Sequence, residues 1–82
     1  MPKLRRLNGK QVVDIFRQFG FEVVRIRGSH THLQRIVSAE HQNLNVPVHG
    51  SKPIPTGTLK SILRQASAYL SDEELKKHFY GD

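Results

Sequence analysis

At 82 residues the chain suffices for one small domain and not for two, so any site it carries must be shallow and built on the surface of a single core. With no cysteine there is no disulfide framework and no thiolate chemistry, which suits a reducing cytoplasm. A formal charge of +6 and an isoelectric point near 10.2 point to a polyanionic partner, nucleic acid first and an acidic protein second, because neutralised phosphates release counterions whatever the sequence. In chain order, residues 1–6 carry basic side chains but no apolar run behind them, so they are expected to be neither signal peptide nor membrane anchor. Lys3, Arg5 and Arg6 read either as a disordered start or as an extension of a phosphate track.

The first helix is predicted over residues 8–19. Asn8 and Gln11 stand at capping-box spacing, Leu7 is placed to staple onto Val12, and Val12, Ile15, Phe16 and Phe19 fall on one helical face. Gly20 ends it as a left-handed cap. The β-branched and aromatic run 21–27 then reads as a strand. Gly28-Ser29 turns the chain, and His30–Val37 reads as a second strand with Thr31, Leu33 and Val37 on one face and His30 and His32 on the other. Arg35 interrupts the apolar face.

Residues 38–43 are polar and turn-like, and a third strand is predicted over 44–49, where Leu44, Val46 and Val48 alternate with polar neighbours. Pro47 cannot donate a ladder hydrogen bond, so that strand is expected either to lie at an edge or to donate to nothing at that position. After the restrained loop 50–55, Thr56 reads as the N-cap of a second helix running to about residue 69 through Leu59, Ile62, Leu63, Ala66 and Leu70. Ser71 and Glu74 repeat the capping-box spacing, Leu70 is placed to staple onto Leu75, and a short last helix runs over 71–79. The fold class is therefore α+β, one domain of order α-β-β-β-α with a short extra C-terminal helix: a three-stranded antiparallel sheet with helices on one face. That topology resembles the double-stranded-RNA-binding domain.

The wet face of this sheet is where chemistry is expected. His30 and His32 stand side by side there, and Arg25, Arg27 and Arg35 flank them in sequence. Imidazoles move protons near neutral pH and guanidiniums hold phosphates. On this stretch alone two exposed strand histidines are more simply surface residues. No cysteine or carboxylate stands at ligand spacing from any of the five histidines, so no metal and no cofactor is predicted. Ser29 reads as a turn residue, and His41 and His78 as structural or neutral. Lys52, Lys60 and Arg64 flank the loop and the second helix, placed for RNA or for a protein partner.

Four blocks carry a resemblance: Phe19-Gly20-Phe21, Arg27-Gly28-Ser29-His30, Val46-Pro47-Val48-His49-Gly50, and the helix start Pro55-Thr56-Gly57-Thr58-Leu59 continuing through Ser61-Ile62-Leu63 to Ala66. In this order, from about residue 9 to 68, they resemble the HicA-type mRNA interferase toxins of bacteria and archaea. The resemblance implies the toxin of a type II toxin-antitoxin pair, which cleaves mRNA without a metal and is neutralised by a HicB-type antitoxin. It also implies that the histidine of the Gly-Ser-His block, here His30, is catalytic. Many relatives follow that histidine directly with a second histidine or an aliphatic residue. Here Thr31 separates His30 from His32, which makes His32 the rival position. The segment from Ser71 onward lies outside the resemblance and is assigned no catalytic role.

Metal-free RNA cleavage uses the substrate's own 2′-hydroxyl as nucleophile, so the protein must supply a base, an acid and positive charge. Arg27 and Arg35 are the candidates for the charge, Arg25 is a further RNA-binding candidate beside them, and His32 or His49 is the candidate second proton carrier. The alternative is a non-catalytic RNA-binding module that uses the same basic face, with His30 one contact among many. A third reading is a basic face that only binds an acidic protein.

Overall fold

The computed structural model describes residues 3–81. Helix α1 (Gly9–Gln18) starts from Asn8, whose side chain accepts the Gln11 N–H while the Gln11 side chain accepts the Asn8 N–H, both at 2.9 Å. This reciprocal box satisfies two donors that a helix start otherwise leaves open. Val12, Ile15 and Phe16 turn inward, Leu7 is buried beside them, and Gly20 leaves the helix at φ +94°. Gly9 fixes where α1 sits. A Cβ there would fall on the Pro47 carbonyl oxygen and 2.7 Å from Val48 Cα, so only glycine lets the helix start lie against the end of the third long strand.

Strands β2 (Glu22–Arg27), β3 (His30–Val37) and β4 (Glu40–Pro47) form an antiparallel sheet in the order β2-β3-β4, preceded in the chain by a short β1 (Lys3–Leu4). The α-β-β-β-α core and its C-terminal helix are as the sequence predicts, and Pro47 lies on an edge strand. Strand β4 starts four residues earlier than residue 44. Ser38 and Ala39 make the turn with φ +50° and +66°, and Val37 pairs with Glu40. Left-handed conformation at both central residues is what a two-residue hairpin turn of matching twist needs. Because serine and alanine supply it instead of Asn-Gly, the polar stretch reads as a loop. The alternation accordingly begins at Gln42, which is buried with Leu44 and Val46.

Helix α2 (Thr56–Ala66) has Pro55, not Thr56, as its N-cap, and no side chain caps it. Leu59 N–H bonds the Pro55 carbonyl at 2.9 Å, so Thr56 already lies inside the first turn, and proline's fixed φ makes the boundary that the threonine suggested. The helix ends at Ala66 rather than near Tyr69. Residues 67–69 form a turn in which the Ser67 hydroxyl donates to the Arg64 carbonyl at 2.7 Å, the local bonding by which serine competes with helix continuation. Helix α3 (Asp72–Phe79) follows from a full capping box of Ser71 and Glu74.

Helix α3 leads into β5 (Tyr80–Gly81), which pairs antiparallel with β1. Two-residue strands have no period to detect, and this pair is absent from the sequence reading. It ties down the start of the described chain: Arg5 N–H donates to the Phe79 carbonyl at 2.8 Å and Arg5 Nη1 to the His78 carbonyl at 2.7 Å. One cluster joins all layers, with Phe16 between Phe21 (ring centroids 6.0 Å apart) and Phe79 (5.4 Å). The segment outside the sequence resemblance thus supplies Leu75 and Phe79 to the core.

Candidate functional site

On the face of the sheet away from the core, cross-strand pairing sets Arg27 opposite His30 and Arg25 opposite His32. Strict alternation along β2 would not do this. Residue 23 pairs with the buried Leu33 and so faces the core side, and in a regular strand residues 25 and 27 would follow it there. A β-bulge at Val24, where the register shifts between Val23 and Arg25, resets the parity. Both arginines then join the histidines, and Ile26 goes to the core side opposite Thr31.

Arg25, Arg27, His30, His32 and Asn45 line one shallow groove. A second groove, lined by His30, Pro47, His49, Lys52 and Thr58 among others, lies on the other side of His30. His30 is exposed and borders both. The structure therefore gathers Arg25, Arg27, His30 and His32 in one groove and His30, His49 and Lys52 in the other, with His30 as the shared wall. Lys60 and Arg64, exposed one turn apart on α2, line neither.

Arg35 does not belong to this patch. It points to the opposite face, where Nη1 donates to the Phe19 carbonyl at 2.8 Å, Nε to Gln42 Oε1 at 2.8 Å, and the guanidinium lies 4.7 Å above the Phe21 ring centroid. Its alternation with Thr31 and Leu33 already carried that placement, and its guanidinium bonds the end of α1. Ser29 is in the turn before β3, and its carbonyl accepts the Val48 N–H at 2.6 Å, which joins the start of β3 to the segment carrying His49.

Sequence reasoning passed over three amides on the outer face. His32 Nε2 lies 2.9 Å from Asn43 Oδ1, which also accepts from Gln34 Nε2 at 3.2 Å, and Asn45 stands directly opposite His32. The alternation of Asn43 and Asn45 with Leu44 and Val46 is the signal that places them there. Among the described residues no three His, Cys, Asp or Glu side chains converge as metal ligands. No helix of the described residues is long and apolar enough to cross a membrane. The titration of Glu74, far from the grooves, is perturbed: the Ser71 backbone N–H, which donates to its carboxylate, and then the neighbouring Ser71 hydroxyl hold it below the usual glutamate range. The core-side face of β2 is left open beside α1, with Val23 40% and Ile26 69% exposed next to Val13 and Val48.

A family model described as the HicA toxin of bacterial toxin-antitoxin matches residues 9–68. That span runs from the glycine seated against Pro47 through both grooves and the whole of α2. No curated protein matches the chain.

Proposed function

The chain belongs to the HicA toxin family of bacterial toxin-antitoxin systems, and from that premise we propose that it is a metal-independent endoribonuclease that cleaves mRNA. The observation that carries the reading is the groove in which two imidazoles, His30 and His32, stand paired with two guanidiniums, Arg27 and Arg25. RNA brings its own nucleophile. A base removes the 2′-hydroxyl proton, the O2′–P bond forms as the P–O5′ bond breaks, and an acid returns a proton to O5′. The products are a 2′,3′-cyclic phosphate and a 5′-hydroxyl.

His30, shared by both grooves, is the catalytic residue in this reading, and His32 or His49 is the second proton carrier. Arg25 and Arg27 stabilise the charge that builds on the phosphoryl oxygens, with Lys52 holding the strand beyond His30. General acid-base help is worth roughly 10²–10⁴-fold, and a preorganised cation on developing charge adds a comparable factor. Lys60 and Arg64 serve an outlying stretch of RNA or the antitoxin. The antitoxin is of the HicB type and silences the toxin by binding it. The place of action is the cytoplasm, where the message is.

The test is cleavage of an end-labelled single-stranded RNA in EDTA, without ribosomes, by wild type, His30→Ala, His32→Ala and His49→Ala, each checked for fold by circular dichroism. Cleavage abolished in His30→Ala, with products ending in a cyclic phosphate, supports the proposal. A folded wild type that binds RNA in a salt-sensitive way and never cuts it establishes the non-catalytic RNA-binding module instead.

A further inference from the structure

The outer face of the sheet carries one chain of side-chain hydrogen bonds, and it ends on an imidazole. Asn43 Oδ1 accepts from Gln34 Nε2 and contacts His32 Nε2. An amide oxygen can only accept, so the contact is an Nε2–H donated by His32. The ring is thereby held in the tautomer that leaves Nδ1 free, and its rotation on an exposed sheet is restrained. Among the described residues neither His30 nor His49 has a side-chain hydrogen bond. Of the candidate proton carriers, only His32 is held by another side chain.

We propose that Asn43 is a positioning residue, and that it makes His32, rather than His49, the second proton carrier beside His30, acting through Nδ1. This rests on the ribonuclease reading. The charged groups facing His32 are Arg25 directly across on β2, with Arg27 and His30 one pair further along; Glu22 stands opposite Gln34, and the β4 neighbours Asn43 and Asn45 are neutral. An imidazole free to rotate and change tautomer presents the right nitrogen only part of the time. Fixing it raises turnover without tightening the hold on substrate.

The experiment measures kcat, KM and the pH–rate profile on a short single-stranded RNA for wild type, N43A, N43D, H32A and the H32A/N43A double variant. N43A is expected to lower kcat about three- to tenfold with KM little changed, the loss of one neutral hydrogen bond. N43D puts a carboxylate where the amide oxygen sits and holds the proton on the ring. It is expected to restore most of kcat and to move one limb of the profile upward by about half to one pH unit, leaving the other limb in place. In the H32A background N43A is expected to change nothing further. An N43A effect that persists without His32, or an N43D profile that does not move, overturns the proposal. A folded wild type that cuts no RNA overturns the ribonuclease reading itself. NMR titration of the His32 ring then decides the coupling: a midpoint raised in N43D supports it, and an unmoved one overturns it.

Discussion

Arg35 offers the sharpest separation of structure from function, because sequence position groups it with Arg25 and Arg27, the arginines proposed to hold phosphate, and its contacts do not. Its two 2.8 Å bonds, to the Phe19 carbonyl and to the buried Gln42, tie the end of α1 and strand β4 to β3. Hydrogen bonds from a charged donor contribute about 1.5–3 kcal/mol each when buried. Discounted for a half-buried side chain, the two together come to about 2–3 kcal/mol, and the stacking on Phe21 adds about 0.5–1 kcal/mol. Arg35→Ala is therefore expected to cost about 3 kcal/mol, against a total of about 4–12 kcal/mol for a chain of this length. At about 4–8 °C per kcal/mol the melting temperature falls by roughly 12–24 °C. Arg35→Lys keeps the charge but loses the planar fork, and should lose most of the same stability. Urea unfolding followed by circular dichroism measures the loss, and RNA affinity at low temperature, where the variants stay folded, should match wild type. An Arg35→Ala protein within about 0.5 kcal/mol of wild type, with weakened RNA binding, would refute the assignment.

Arg27→Ala should behave in the opposite way: stability unchanged within about 0.5 kcal/mol, and the slope of log affinity against log salt shallower by about 0.7, measured by fluorescence anisotropy on single-stranded RNA. Gly9→Ala drives a methyl group into the Pro47 carbonyl and Val48 backbone and should cost about 1–3 kcal/mol or prevent folding, read by thermal denaturation. The depressed Glu74 titration stabilises the fold above the carboxylate's unfolded pKa, and that contribution is lost as pH falls through its lower folded value. Glu74→Gln, which keeps an acceptor for the cap, should show a shallower fall in melting temperature on acidification.

The long elements were legible because their signals are local. Asn8 with Gln11 and Ser71 with Glu74 announce their helices, and each forms both bonds of its box. His30–Val37 shows its two faces in the alternation of His30 and His32 with Thr31 and Leu33. What stayed hidden depends on conformations that carry no compositional mark, such as the Ser38-Ala39 turn with two left-handed residues, or on partners distant in sequence, such as β1 with β5. The site divides in the same way. His30 and His32 were readable as neighbours, and the Arg27–His30 and Arg25–His32 pairs depend on the bulge at Val24, which the run Glu22-Val23-Val24-Arg25 does not advertise. Arg35 could have been removed from the patch by parity alone.

The bulge raises a question that a deletion can answer. Without Val24 the remaining residues of β2 alternate regularly, with Glu22, Arg25 and Arg27 outward and Val23 and Ile26 toward the core side, so the pairing with His30 and His32 needs no bulge in the shortened strand. The extra residue must then be explained by what it does to the strand's other side. β2 is an edge of its sheet and exposes Val23, Val24 and Ile26, and a flat apolar edge invites pairing with another chain. A bulge increases local twist and interrupts the ladder, which blunts that edge. Deleting Val24 is therefore expected to leave the helices, the core and RNA affinity close to wild type while the protein self-associates at concentrations where wild type does not, as read by sedimentation. Replacing Ile26 with lysine in the deletion variant should reverse the association, because a charge on the edge does the work of the bulge. If the deletion instead weakens RNA binding and leaves the protein no more associated than wild type, the bulge serves to aim Arg25 and Arg27 and has no part in protecting the edge.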